Sequence, residues 1–103
     1  MKIYKWAYYQ RLRVWRAFDA ACFLLEYDPI ANWHNKVNGG EIPEDITNII
    51  DSLAKDTMDE KINAVHNLHH EFYYDCVNVL DWADKKGMDV PKDLRVFIET
   101  MRL

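Results

Sequence analysis

The sequence predicts an all-α domain, a bundle of four or five helices around one long central helix at about 58–86. Three observations lead to this prediction. Half of the 103 residues are hydrophobic, which is enough for one real core. Glycine and proline are scarce, three of each, and they fall between segments of helical periodicity. The longest such segment places an apolar residue every three or four positions over about 29 residues.

The N-terminal part divides into an arm and a first helix. Arg16 to Tyr27 repeats apolar residues at helical spacing, and Asp28-Pro29 is expected to end that helix, because proline restricts the residue before it. Segment 2–14 suits a strand or a short helix, and we favour a helix because the sequence shows no partner strand. We expect segment 30–36 to form one short helical turn. We expect a single domain over 1–103, with 1–15 as a basic, aromatic arm packed on it or extending from it.

The second clear helix and the central helix follow the glycine loop. Pro43 to Ala54 has proline in its first turn and acidic residues near its start, as helix N-termini favour. Thr57 to Glu60 has the pattern of a capping box and is expected to open the central helix. The apolar positions of that helix form the predicted seam, which consists of Ile62, Val65, His69, Phe72, Cys76, Val79 and Ala83.

The last part of the chain contains a helix end, a turn and a new helix. Lys85 and Lys86 suit the negative end of a helix, and Gly87 suits its left-handed cap. Pro91 then opens a final helix. The apolar face of that helix consists of Leu94, Phe97, Ile98 and Met101.

Charge is distributed unevenly along the chain. Residues 1–18 hold five basic side chains and no acidic one, whereas the remaining residues carry eight basic and 17 acidic side chains. An acidic body argues against nucleic-acid binding over most of the surface and favours a partner with a basic face. No apolar run is long enough for a membrane helix, and the first residues are too polar for a signal-peptide core. We therefore expect no membrane association and a cytoplasmic location.

Two segments carry a resemblance to a known group. Segment 15–29 combines an aromatic start, a helix with paired alanines and leucines, and a closing Asp28-Pro29; segment 81–91 contains Trp82-Ala83, Lys86-Gly87 and Pro91. Together they resemble small, poorly characterised bacterial and prophage-borne helical proteins. The resemblance implies a bacterial or mobile-element origin and a helical scaffold, and it brings no shared biochemical activity with it.

Three kinds of residue could carry chemistry or bind a partner. His66 and His70 share a face on a helix and are weak candidates for metal ligands, since two helical histidines alone are an unspecific motif. Cys22 and Cys76 are expected to be reduced thiols buried in the core. The arm interleaves basic and aromatic side chains and supplies the candidate partner-binding residues: Lys5, Tyr8, Tyr9, Arg11, Arg13, Trp15 and Arg16.

These observations predict a non-enzymatic protein-interaction module, one version of which is a phage or mobile-element accessory protein that binds or inhibits a host protein complex. We expect no cofactor, a protein partner, and a homodimer along the predicted seam. The alternative is a small nucleic-acid-binding regulator that uses the arm or the C-terminal helix pair at 81–102. That pair is a poor match for a DNA-reading unit, because Lys92, Asp93 and Arg95 are mixed in sign.

Overall fold

The structure is a computed structural model that describes residues 13–102, and within that range it combines five helices with one three-stranded antiparallel sheet. The helices are α1 (Ala17–Leu25), α2 (Pro29–Val37), α3 (Glu44–Met58), α4 (Cys76–Lys85) and α5 (Lys92–Thr100). The strands are β1 (Val14–Arg16), β2 (His66–Leu68) and β3 (Glu71–Asp75). The predicted all-α class is therefore wrong, and the fold is mixed α/β.

The sheet joins the start of the described chain to its middle. Its strand order is β1-β3-β2, with β3 in the centre. Trp15 of β1 lies opposite Tyr74 of β3, and both side chains are buried. Successive strand residues point to opposite faces, so Trp15 and Tyr74 share the inner face of the sheet. That inner face forms one wall of the hydrophobic core.

Helix α1 is the centre of the core. Every residue from Ala17 to Leu24 is buried, so this helix has no solvent-facing side. It packs against α3 and contacts the sheet through both β1 and β3. Apolar burial on all sides explains why α1 lacks the polar stripe of an ordinary surface helix. Both cysteines are free and buried, as the sequence predicts, and burial raises the pKa of the Cys22 thiol to about 12.

The predicted central helix at 58–86 is wrong, because a β-hairpin interrupts it. Helix α3 continues to Met58 instead of ending at Ala54, and Glu60 takes a left-handed conformation with φ of 61°. Strands β2 and β3 follow, and helix α4 begins only at Cys76. Two members of the predicted seam, Val65 and His69, are exposed. The long seam on which we based a homodimer is thus not present.

Two predicted helix boundaries agree with the structure, near Asp28 and at Gly87, whereas the predicted capping box at Thr57 to Glu60 is wrong, because Thr57 lies inside α3. Asp28 caps α2 by accepting hydrogen bonds from the amides of Ile30 and Ala31. Gly87, with φ of 74°, follows the end of α4. Helix α5 buries Leu94 and Ile98, which belong to its predicted apolar face. Within the described range, no helix has the length and apolar character needed to cross a membrane.

A buried carboxylate links α3 to α4. The Asp56 Oδ2 atom accepts a hydrogen bond from the Trp82 indole at 2.8 Å and lies 2.7 Å from the Lys86 Nζ atom. These two bonds, that to Lys86 foremost, lower the pKa of the Asp56 carboxyl. A carboxyl whose pKa is lowered on folding stabilises the fold at neutral pH, and this stabilisation is lost as the pH falls through the folded value.

We expect the variant Asp56→Asn to be less stable than the wild type at pH 7 and the difference between them to be smaller at pH 3. Because the folded pKa of Asp56 lies below the ordinary value of about 4, its stabilisation starts to be lost below pH 4 and disappears only below the folded value. Urea unfolding midpoints at the two pH values measure the effect. Asp51→Asn, an exposed change on the same helix, is the control and should matter little at either pH. An equal loss at both pH values for Asp56→Asn would contradict the charge-based account.

Candidate binding groove beside the hairpin

A groove opens between the tip of the β2–β3 hairpin and helices α2 and α3. Its volume is about 290 Å³. We call it the hairpin groove and define it by Trp33, Lys36, Ile50, His69, His70 and Phe72, all of which line it. Ala17 and Tyr74, both buried, lie at its base. The groove therefore joins an apolar, aromatic interior to a rim of basic and imidazole groups.

The hairpin tip is built from two histidines in a backbone conformation that histidine rarely adopts. Leu68 pairs with Glu71, so His69 and His70 are the two residues of the turn. Their φ angles are 52° and 63°. Two consecutive positive φ angles define the tight turn for which asparagine and glycine are the usual residues. Each left-handed residue with a Cβ atom costs about 1–2 kcal/mol, so the turn carries strain that another sequence would avoid.

The wall formed by α2 depends on stacked cationic and aromatic groups. The Arg16 guanidinium lies 4.0 Å from the centroid of the Trp33 ring, and the Phe18 ring meets Trp33 edge-on at 5.2 Å. The Lys36 Nζ atom lies 5.5 Å from the Trp33 centroid and 5.4 Å from that of Phe18. Such contacts hold the indole in one place, because a cation is attracted to the face of an aromatic ring.

The base of the groove is held by the Tyr74 hydroxyl. This hydroxyl and the Thr57 Oγ1 atom are 2.7 Å apart, and Thr57 donates a hydrogen bond to the Leu53 carbonyl oxygen. Burial raises the pKa of the Tyr74 hydroxyl, so it stays a neutral hydrogen-bonding group. Strand β3 is thereby attached to α3 directly below the groove. Ile50 and Ala54 on α3 thus have a defined position opposite Phe72 of β3.

The charges around the groove fall into two groups. Arg16 forms an ion pair with Asp19 at 2.9 Å and also interacts with the charge of Glu71. Lys36 has no ion-pair partner among residues 13–102. The charged side chains that line the groove without an ion pair among these residues are therefore Lys36 and Glu71, beside the imidazoles of His69 and His70.

Asp19 is buried beside this wall with an incomplete hydrogen-bond set. Its residue exposure is 9%, and within the described part of the chain its Oδ1 atom has no hydrogen-bond partner. Burial raises the pKa of the Asp19 carboxyl, and the bond to Arg16 only partly opposes that shift. A carboxyl whose pKa is raised on folding weakens the fold at every pH above its unfolded value, since the charged form has lost water.

We accordingly expect Asp19→Asn to leave the free energy of unfolding at pH 7 unchanged or to raise it by up to about 1 kcal/mol. This gain should disappear below about pH 4, where the wild-type carboxyl is neutral in both states. Chemical denaturation at pH 7 and pH 3 measures both values. Arg16→Met, which leaves the buried carboxylate without its cation, should instead lose stability. A clear loss of stability in Asp19→Asn at pH 7 would refute this expectation.

The structure places the candidate partner-binding residues of the arm in different surroundings. Arg13 donates hydrogen bonds to Asp75 and to the Met101 carbonyl oxygen, Trp15 is buried at 1% exposure, and Arg16 borders the hairpin groove. The other candidates of the arm, Lys5, Tyr8, Tyr9 and Arg11, lie outside the described residues.

His66 and His70 do not share a helix face. His66 lies in strand β2, and His70 in the turn that follows it. The spacing that suggested a pair of metal ligands thus loses its structural basis. A group of three or more side chains able to hold a metal ion is not found within residues 13–102.

The sequence reasoning missed four groove residues, namely Trp33, Lys36, Ile50 and Phe72. Phe72 was assigned to the seam of a helix that does not exist. A signal was present in Phe72-Tyr73-Tyr74, since consecutive aromatic residues favour a strand. No local signal identifies Trp33, because its role depends on contacts with Arg16 and Phe18 of another element.

The two arginines of the C-terminal helix pair are engaged within the protein, whereas Lys85 and Lys92 are exposed. Arg95 donates two hydrogen bonds to Asp84, and Arg102 donates to Asp81 and Glu99. These ion pairs join α5 and the residues after it to α4. The two arginines that could have met a phosphate backbone are thus neutralised by neighbouring carboxylates.

A second cavity, of about 420 Å³, lies at the end of α3 and α4. Its lysines, Lys61, Lys85 and Lys86, are accompanied by the acidic Asp56 and Glu60, and Lys86 is bound to Asp56. The positive charge of this cavity is thus largely balanced from within. The hairpin groove differs from this cavity in having two aromatic wall residues, Trp33 and Phe72, and the two turn histidines.

Fold and groove together define a small α/β domain, in which an open aromatic groove lies beside a strained hairpin. Comparisons with known protein families, with characterised proteins and with solved structures find no match to this chain.

Proposed function

We propose that this chain is a non-enzymatic protein-interaction module that binds its partner through the hairpin groove. The observation that carries the proposal is the pair of left-handed histidines at the hairpin tip. Strain of this kind persists where it serves a site, since asparagine and glycine would form the same turn at lower cost. The strained turn places two imidazoles at the mouth of an aromatic groove.

The chemistry of the groove supports recognition. Aromatic surface is typical of protein interfaces, in which a few aromatic contacts supply most of the binding energy. Both cysteines are buried, and burial raises the pKa of the Cys22 thiol to about 12. A thiol of that pKa is almost entirely protonated at neutral pH and is a weak nucleophile.

A protein partner is favoured over nucleic acid by the ion pairs of the C-terminal helices. A protein that binds nucleic acid needs cations that are free to meet phosphates. Arg95 and Arg102 are instead bound to carboxylates of α4. The resemblance of segments 15–29 and 81–91 to phage-borne proteins supports a partner from the host cell.

Photo-crosslinking in the cells that encode the protein tests this proposal. We place benzoylphenylalanine at position 68, which is exposed beside the turn, or, as a control, at position 92, which is exposed on α5. We expect one discrete cross-linked protein from position 68 and none from position 92. Trp33→Ala and Lys36→Glu should each remove that product. Because Lys36 is exposed, loss of the product in Lys36→Glu cannot be attributed to loss of folding. A product that survives both changes, or no product at all, would overturn the proposal.

A further inference from the structure

We propose that Asn38 and Gly39, at the C-terminal end of α2, form a self-modifying site at which the Asn38 amide is converted to a carboxylate, with the His34 imidazole as the proton donor. The reaction needs only solvent water, and the inference goes beyond the proposed function without depending on it. Two observations carry it: the exposure and backbone freedom of the dipeptide, and the contact between the imidazole and the amide nitrogen that must leave.

The dipeptide has the chemistry of an intramolecular attack. Asn38 is the only asparagine of the sequence that is followed by glycine. The backbone nitrogen of Gly39 and the Cγ atom of Asn38 belong to the same short stretch of chain, so ring closure between them has the rate advantage of an intramolecular reaction. Glycine has no side chain that would hinder the approach of this nitrogen.

The end of α2 leaves room for this attack. Residues 34–40 are all exposed. Gly39 has a φ of 78°, and a Cβ atom placed there would meet no atom of the described residues within 4 Å. The Gly39 amide donates a hydrogen bond of 3.2 Å to the Lys36 carbonyl oxygen, in the last turn. Because helix ends fray, this bond opens without unfolding the core.

His34 lies beside the leaving group. It is four positions before Asn38, so the two side chains share one face at the end of the helix. The His34 Nε2 atom lies 3.1 Å from the Asn38 Nδ2 atom, and the same amide donates a hydrogen bond of 2.9 Å to the His34 carbonyl oxygen. A side chain acts as general acid within a reach of about 2.6–3.2 Å, and imidazole exchanges protons near neutral pH.

The reaction balances with these groups and water. The Gly39 nitrogen attacks the Asn38 Cγ atom and gives up its proton to solvent. The Cγ–Nδ2 bond breaks, and ammonia leaves after His34 has protonated the Nδ2 atom; the imidazole then recovers a proton from solvent. Water opens the resulting succinimide at either carbonyl group, which yields aspartate or isoaspartate. No group is oxidised or reduced.

The product changes the helix that forms one wall of the hairpin groove. It places a carboxylate at the end of α2, where the helix carbonyl groups carry partial negative charge and repel it. The hydrogen bond from the Asn38 amide to the His34 carbonyl oxygen is lost as well. Trp33 and Lys36 of the same helix line the groove, so the modification acts on the wall that holds them.

Incubation of the full-length protein in dilute buffer near neutral pH, followed by peptide mass spectrometry, tests the inference. Fragment masses locate the conversion of amide to acid, and enzymatic methylation detects isoaspartate. We expect conversion at Asn38 ahead of every other asparagine. His34→Gln keeps a side chain that forms hydrogen bonds but cannot supply the proton, and it should slow the conversion about tenfold. His66→Gln, a change of an exposed histidine in β2, is the matched control and should leave the rate unchanged.

Two further measurements distinguish a proton donor from a residue that only shapes the helix end. In concentrated urea the contact between the two side chains is lost, so the wild type and His34→Gln should react at equal rates. Free imidazole added to the buffer should restore part of the lost rate in His34→Gln and change that of the wild type much less. Absence of conversion at Asn38, or equal rates of the wild type and His34→Gln in buffer, would overturn the inference. A difference that persists in urea, or a slow variant that imidazole does not rescue, would remove His34 from the reaction and overturn it as well.

Discussion

Replacing Tyr74 with alanine is expected to lower the free energy of unfolding by about 3–5 kcal/mol, the range measured for large aromatic side chains in protein cores. Tyr74 has no exposed surface and lies opposite Trp15 in the sheet. Its ring closes the base of the hairpin groove, and its hydroxyl bonds to Thr57 of α3. The alanine variant leaves a cavity where the sheet, α1 and α3 meet. Urea denaturation followed by circular dichroism measures the loss.

Two companion variants make this result informative about the fold. Val65→Ala should change the free energy of unfolding by no more than about 0.5 kcal/mol, because Val65 is 49% exposed. On the central helix predicted from the sequence, Val65 would belong to the buried seam and Tyr74 would not. Tyr74→Phe should cost about 1 kcal/mol, since it removes one hydrogen bond, and it stays measurable if the alanine variant does not fold. A larger loss for Val65→Ala than for Tyr74→Ala would contradict the hairpin.

Exchanging the two turn histidines for the usual turn residues is expected to separate stability from binding. The double variant His69→Asn with His70→Gly should raise the free energy of unfolding by about 1–2 kcal/mol, because glycine removes the Cβ atom at one left-handed position and asparagine tolerates that conformation at the other. The same variant loses both imidazoles from the rim of the groove. We therefore expect it to give clearly less of the groove-dependent cross-linked product. A gain in stability with a loss of function is the usual sign of residues retained for a site.

Each half of that expectation has its own measurement and its own control. Urea midpoints report the stability, and the yield of the cross-linked product reports binding at the groove. Exchange of the exposed His66 for asparagine serves as control: it changes a hairpin histidine outside the turn and should affect neither value strongly. If the double variant is less stable than the wild type, the strain argument fails. If it gives as much cross-linked product as the wild type, the imidazoles do not take part in recognition.

Local chemistry explains which parts of the fold could be predicted. Asp28 and Gly87 mark helix boundaries through their own side chain or backbone freedom, and both boundaries lie near the predicted places. Leu94 and Ile98 belong to a helical face that is buried, and their spacing alone indicated it. Such features involve only residues within one or two helical turns of each other. The rest of the chain therefore has little influence on them.

The error in the middle of the chain has an equally specific cause. Positions 58–86 contain apolar residues at helical spacing, yet Phe72-Tyr73-Tyr74 also suits a strand. Strand β3 is the centre of the sheet, and one of its two neighbours is β1. Arg13 and Asp75, which join the two strands at this edge, are 62 positions apart. Because a strand gains its hydrogen bonds from another segment, a periodicity count within one window could not include that contribution.

The hairpin groove could not be predicted for the same reason. Trp33 comes from α2, Ile50 from α3 and Phe72 from β3, and their spacing in the sequence shows no common pattern. The sequence did single out His69 and His70, but their significance comes only from the turn. On a helix, His69 and His70 would lie on different faces, whereas in the hairpin their left-handed conformations place both at the groove.

The sequence by itself determined the caps and several helix ends, the buried reduced cysteines, and the apolar face of the last helix. These depend on side chains that act on their immediate neighbours, and their free energies are local. Only the tertiary structure decided that the middle of the chain is a hairpin, that Arg16 stacks on Trp33, and that His69 and His70 border an aromatic groove. Those features depend on pairing and burial between distant segments, whose free energy is gained only when the whole core assembles.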